Sequence, residues 1–213
     1  MERFLCGSVD EEEHQPSRSP EGAAPGPNRR AVLTATVTLG TSALAGCAGS
    51  INGTTQTERP EATSLTEEDS CDVCGMVIPN HPGPSSEIFY ADNEPNDHPN
   101  PARFDSTWEA FQFDFAREEW TRQAFYVTDY SSVEYEIRSD DGQQLISRHV
   151  ARASFVDARS VTFVVGSEVV GTMGKDLIAF SDETDAEAFS QEYGGDLVAF
   201  EDVTPTMISQ LGK

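Results

Sequence analysis

Apolar and polar positions recur along this chain in two matching runs. The first is EIFYAD (87–92), STWEAF (106–111) and AFYVTDY (124–130); the second is DLIAFSD (176–182), TDAEAF (184–189) and DLVAFEDV (196–203). The outer pieces of each are short and rich in aromatic or branched residues, the pattern of strands. Each central piece opens with a hydroxyl three residues before a carboxylate, Ser106 with Glu109 and Thr184 with Glu187, as a capping box requires. Behind these caps Trp108, Phe111 and Phe115 recur at i, i+3 and i+7, and Phe189 and Tyr193 at i and i+4, which describes amphipathic helix faces. Gly194-Gly195 is a natural stop for the second helix. An earlier strand candidate completes each copy: the stretch around VCGMVI (73–78) and SVTFVVGSEVVG (160–171). The pattern predicts an α+β fold of two similar ββαβ units in tandem, at 71–135 and 136–205, with a tail at 206–213.

Before residue 71 the periodicity disappears. Residues 1–28 carry five acids within positions 2–13, then Pro, Gly and Ser, the composition of a chain that buries no core. Paired Arg29 and Arg30 then precede a charge-free run from Ala31 to Gly46, closed by Leu44-Ala45-Gly46-Cys47. A basic start, a short apolar stretch and small residues before a cleavage point describe an export signal. At sixteen residues the run is short for a membrane span, which needs ~20. The arginine pair resembles a twin-arginine signal. The Leu-Ala-Gly-Cys ending resembles a lipobox, in which Cys47 is lipidated and becomes the new N-terminus. An uncleaved anchor is the alternative; either way the remainder lies outside the membrane. This assigns 1–46 to a leader and 47–70 to a lipidated cysteine and polar tether.

Charge changes the picture less than its size suggests. The chain has 37 acidic and 14 basic residues, a net charge of -23. Such a surface argues against a nucleic-acid partner, since phosphate binding needs Lys and Arg to displace counterions. It fits a salt-loving habitat, where concentrated salt screens the self-repulsion.

Candidate chemistry concentrates in CDVCGMVIPNHPGP (71–84). Of four cysteines, Cys6 lies in the leader and Cys47 carries the lipid signal, so Cys71 and Cys74 are those of the folded part. Zinc is one reading: two cysteines at knuckle spacing, with His81 and His98 to complete a tetrahedron, although those histidines lie far apart for such a site. Thiol–disulfide exchange is another, but it favours a cysteine at a helix start, and Gly75 with prolines at 79, 82 and 84 starts no helix. A plain disulfide staple is a third. Soft-metal binding is the fourth, because thiolate and thioether sulfurs favour copper(I). Cys74 and Met76 would share a face of an extended strand. Met173, in GTMGK (171–175) at the front of the second unit, could close such a site across the interface, and His81 could add a nitrogen.

Taken together, the lipobox, CGM, HPGP (81–84), MGKDLIAF (173–180), DAEAF and YGGDLVAFEDV resemble NosL, a family of exported copper-binding lipoproteins that assist nitrous oxide reductase. The resemblance runs from about residue 69 to 205. It implies two ββαβ units and no catalysis by the protein itself. It implies delivery of copper(I) to nitrous oxide reductase and its copper-site assembly machinery. It also implies an address on the extracytoplasmic face of the membrane through the lipid anchor, and it leaves room for a homodimer. The family's usual ligands map to Cys74 and Met173; Met76 belongs to the same motif, and His81 and Cys71 are further candidates. Cys71 departs from the family pattern, as do Ala179-Phe180 in place of proline–phenylalanine and the long acidic leader. Two other classes stay in play: an exported thiol oxidoreductase acting through Cys71 and Cys74, and a structural lipoprotein stapled by zinc or a disulfide.

Overall fold

The computed structural model describes residues 59–211; the leader, Arg29, Arg30, Cys47 and the first half of the tether lie outside them. Among the described residues, three α-helices and two sheets make up the α+β fold. In the first sheet the aromatic run of the first repeat forms β1 (Ser86–Tyr90), flanked by β2 (Ala102–Phe104) and β3 (Arg122–Thr128). All three are antiparallel, and β6 (Phe155–Asp157) extends the sheet along β3, giving the order β2-β1-β3-β6.

The second sheet is built on β7 (Thr162–Gly171), the longest strand, which hairpins into β8 (Gly174–Phe180). The other edge of β7 is shared. Its first half pairs antiparallel with β9 (Asp196–Ala199), and its end pairs parallel with β5 (Gln143–Ile146). A hairpin partner, β4 (Ile137–Asp140), closes that edge. The sheets meet where Asp129 bridges Ala179 and the Tyr130 N–H donates to the Ala179 carbonyl at 2.9 Å.

Helix α1 (Thr107–Phe115) starts as its sequence predicts: Ser106 is the N-cap, its Oγ accepting from the Glu109 N–H at 3.3 Å. Helix α2 (Glu183–Tyr193) starts earlier than predicted. Its cap is Asp182, which accepts from the Thr184 N–H at 2.8 Å. The reason lies one residue back. Ser181 is held by Asp129, its N–H on Oδ1 at 2.9 Å and its hydroxyl on Oδ2 at 2.8 Å, so Asp182 is the first side chain free to cap. Gly194 ends α2 at φ +71, where a side chain would be strained. The predicted tail holds a third helix, α3 (Pro205–Leu211), which buries Ile208 and Leu211 and accepts the Trp108 indole N–H on the Ile208 carbonyl at 2.7 Å.

The expected strand around VCGMVI is not one. A single bridge joins Ser70 to Val77, and between them the chain turns back at Gly75, at φ +76. The Cys71 N–H donates to the Met76 carbonyl at 2.8 Å and the Gly75 N–H to the Cys71 carbonyl at 2.9 Å. Pro79, without an N–H, then leads a short 3-10 turn (Ile78–Asn80) rather than a ladder. The motif is a closed loop, so Cys74 and Met76 do not share a strand face.

The larger core cluster draws on both repeats: Phe104, Phe111 and Phe125 from the first, Phe163, Leu177 and Phe200 from the second. Phe111 is its centre, its ring centroid 4.9 Å from Phe125, 5.7 Å from Phe163 and 5.6 Å from Phe200. Full burial of a side chain of this size stabilises by roughly 1.5–3 kcal/mol, so α1 is held chiefly by its apolar face. A smaller cluster under α2 contains Tyr130, Ile146, Phe180 and Phe189.

Candidate metal centre

The 71–76 loop is pinned to Arg103, the middle residue of β2, and that pinning brings the loop beside Asp105 and Glu109. The Asp72 carboxylate accepts from the Arg103 N–H at 2.7 Å and pairs with His98 Nε2 at 2.8 Å, while the Asp72 N–H donates to the Arg103 carbonyl at 2.9 Å. Two residues beyond Arg103 comes Asp105, and one turn into α1 comes Glu109. The chain thus delivers two carboxylates to the face where the loop presents two thiols.

Cys71 Sγ donates to Glu109 Oε2 at 3.0 Å, and Cys74 Sγ donates to Asp105 Oδ1 at 3.5 Å. One ligand atom from each of Cys71, Cys74, Asp105 and Glu109 lies within 4.8 Å of all the others. Cys71, Asp105 and Glu109 are buried, whereas Cys74 stays partly open to solvent. Burial shapes the protonation of this group. It pushes both thiols above their ordinary range, and it raises the Glu109 carboxyl to about 7, helped by the neighbouring Asp105. Without metal, the thiol protons and the carboxylates satisfy one another. These four residues could hold a thiophilic cation, to which they would offer two sulfur and two oxygen ligands once the thiol protons were released.

The other candidate residues fall as follows. Met173 occupies the two-residue turn between β7 and β8, half-buried, and this turn is tied to the HPGP loop: the Thr172 N–H donates to the Pro82 carbonyl at 3.0 Å. His81, half-buried, ends the 3-10 turn and is not part of the four-residue group. Met76 closes the cysteine loop through its carbonyl. His98, needed for a zinc tetrahedron, is instead held by Asp72 and by the Pro99 carbonyl. Asp105 and Glu109 were missed as site residues. Glu109 reads as half of a capping box, but its side chain turns inward to Cys71; two acids four apart at the inner start of an apolar helix were the available signal.

The family model that matches this sequence is NosL, over residues 62–208. The chain belongs to the NosL family. It is 29% identical over 151 residues to the copper-binding lipoprotein NosL of Stutzerimonas stutzeri, a match covering 70% of each protein. The crystal structure of the copper chaperone NosL from Shewanella denitrificans superimposes with a TM-score of 0.54 at 30% identity, covering 68% of this chain and 97% of that one. The NosL relatives are thus named for copper binding and copper chaperoning, neither of which is an enzymatic activity. No helix among the described residues is long and apolar enough to cross a membrane.

Proposed function

We propose that this NosL-family protein is an exported, lipid-anchored copper(I) metallochaperone that supplies copper for the maturation of nitrous oxide reductase. Its cargo is held by the Cys74 thiolate and the Met173 thioether, with Met76 and His81 at the margin and Cys71 in reserve. The observation that carries this reading is the asymmetry of the thiol pair. Cys71 is buried on Glu109, while Cys74 is partly exposed, beside the Asp105 carboxylate. A cargo ion must be both bound and released, and a partly open sulfur allows exchange with a partner where an enclosed one does not.

A thiol oxidoreductase is the less favoured reading. Such enzymes need a thiolate stabilised by positive surroundings, and here both thiols are pushed up, with carboxylates as neighbours. The remaining assignments follow from the leader: export through the twin-arginine signal at Arg29 and Arg30, lipidation at Cys47, and residence on the extracytoplasmic membrane face. A homodimer is compatible with this arrangement, and the acidic surface suits life in concentrated salt.

Delivery is tested by mixing the copper(I)-loaded protein with copper-free nitrous oxide reductase in the presence of a chelator that outcompetes free copper. Recovery of reductase activity and of its copper-centre absorbance is the expected result. No recovery with the loaded protein, where copper salts without chelator do reactivate, counts against delivery.

A further inference from the structure

Asp176 stands outside the four-residue metal group, yet it is completely buried, three residues beyond Met173 on β8. Its carboxylate reaches across to the other repeat. Oδ2 accepts from the Ser106 hydroxyl at 2.8 Å, and Oδ1 accepts from the Trp108 N–H at 2.8 Å and from its neighbour Leu177 N–H at 2.8 Å. Ser106 is the N-cap of α1, and Trp108 carries one of the free N–H groups of its first turn. A carboxylate there also meets the positive end of the helix dipole. The segment it grips, 105–109, is the one that supplies Asp105 and Glu109 to the thiols.

The turn bearing Met173 is held from its other side as well. Thr172 is bonded to Pro82, and the backbones touch: a Cβ added to Gly83 would lie 2.9 Å from the Gly171 Cα, and one added to Gly171 would lie 3.1 Å from Asp176 Oδ2. Met173 therefore sits between two anchors, one to the loop after the cysteines and one to the start of α1. The first half of the chain returns the grip at α2. Asp129 accepts from the Ser181 N–H, the Ser181 hydroxyl and the Ser131 N–H, again three donors on one carboxylate.

We propose that Asp176 is a positioning residue of the copper site, locking the turn that carries Met173 against the 105–109 segment so that thioether and thiolate converge on one ion. The inference rests on the reading of Met173 as a ligand. Asp129 makes an equivalent grip at a helix that carries none of the candidate ligands, so it serves as the matched control.

The test is anaerobic titration of the reduced protein with copper(I) against a competing chelator, for Asp176→Asn and Asp129→Asn, each alone and combined with Met173→Ala. Asp176→Asn should weaken copper(I) by about tenfold or more, the usual effect of a residue that orients a ligand. Asp129→Asn should leave affinity within about twofold even where it lowers the melting temperature. In the Met173→Ala background Asp176→Asn should cost nothing further, because the ligand it positions is gone. Ser106→Ala removes the opposing hydroxyl and should weaken binding in the same direction, which keeps the question open to test if Asp176→Asn fails to fold. Unchanged affinity in Asp176→Asn, or a loss that adds fully to that of Met173→Ala, overturns the positioning role. An unchanged Met173→Ala overturns the ligand assignment as well, and it is recognised without any Asp176 variant.

Discussion

The Cys71 thiol donates to the Glu109 carboxylate at 3.0 Å and is buried, while its C-x-x-C partner Cys74 reaches Asp105 at 3.5 Å from a position partly open to solvent. The two cysteines should therefore respond differently. Cys71→Ser keeps a hydroxyl donor for Glu109 and should change copper(I) affinity by less than about threefold. Cys74→Ser should lower it by about a hundredfold or more, because it removes the soft ligand open to exchange. Competitive titration of the two variants side by side checks this, and equal losses would assign copper to the pair as a dithiolate.

Binding should strengthen as pH rises. Both thiols titrate above their ordinary range and the Glu109 carboxyl at about 7, so the copper-free site carries protons that a metal must displace. Below its pKa, each thiol that becomes a ligand contributes a slope of about one in log affinity per pH unit. With Cys74 as the only thiolate the slope between pH 7 and 8 should be near one; a slope near two would show that Cys71 also gives up its proton.

Glu109 makes a separate prediction for the metal-free protein. Its carboxyl is raised from 4.5 to about 7, so between those values the native state holds a proton that the unfolded chain has released. Its contribution to stability is then complete at low pH and is lost as pH rises through that window. Glu109→Gln should flatten this dependence. Urea melts at pH 5 and pH 7.5 measure it: wild type should lose more stability than the variant between the two.

Phe111 joins the aromatic residues of both repeats, and Phe111→Ala should cost roughly 3–5 kcal/mol. Because the same cluster contains residues from both repeats, unfolding should remain a single transition with coincident far-ultraviolet and tryptophan signals. Two separated transitions would mean that the repeats fold independently.

Sequence reading succeeded where local chemistry governs and failed where distant contacts do. The aromatic runs of β1, β3 and β8 and the Ser106 cap are legible because each is decided by its own neighbours. The start of α2 was misplaced because Asp129, fifty-two positions away, fixes Ser181. Strands β2, β4, β5 and β6 are not legible, being short segments that take their pairing from a neighbouring strand rather than from an apolar period. Of the converged four-residue group, Cys71 and Cys74 are legible in the sequence as soft donors beside a glycine. Asp105 and Glu109 are not, since only the Asp72–Arg103 contacts, which fold the loop onto β2, bring the two thiols to them.

The central claim, that one copper(I) ion is bound by sulfur from both repeats, is tested most directly by copper K-edge absorption spectroscopy. The sample is reduced protein carrying selenomethionine, loaded with one equivalent of copper(I). A copper–selenium scattering shell beside a copper–sulfur shell is the predicted result, with the selenium contribution falling in Met173→Ala and the sulfur contribution falling in Cys74→Ser. A spectrum with no selenium neighbour, or one that Met173→Ala leaves unchanged, would contradict it.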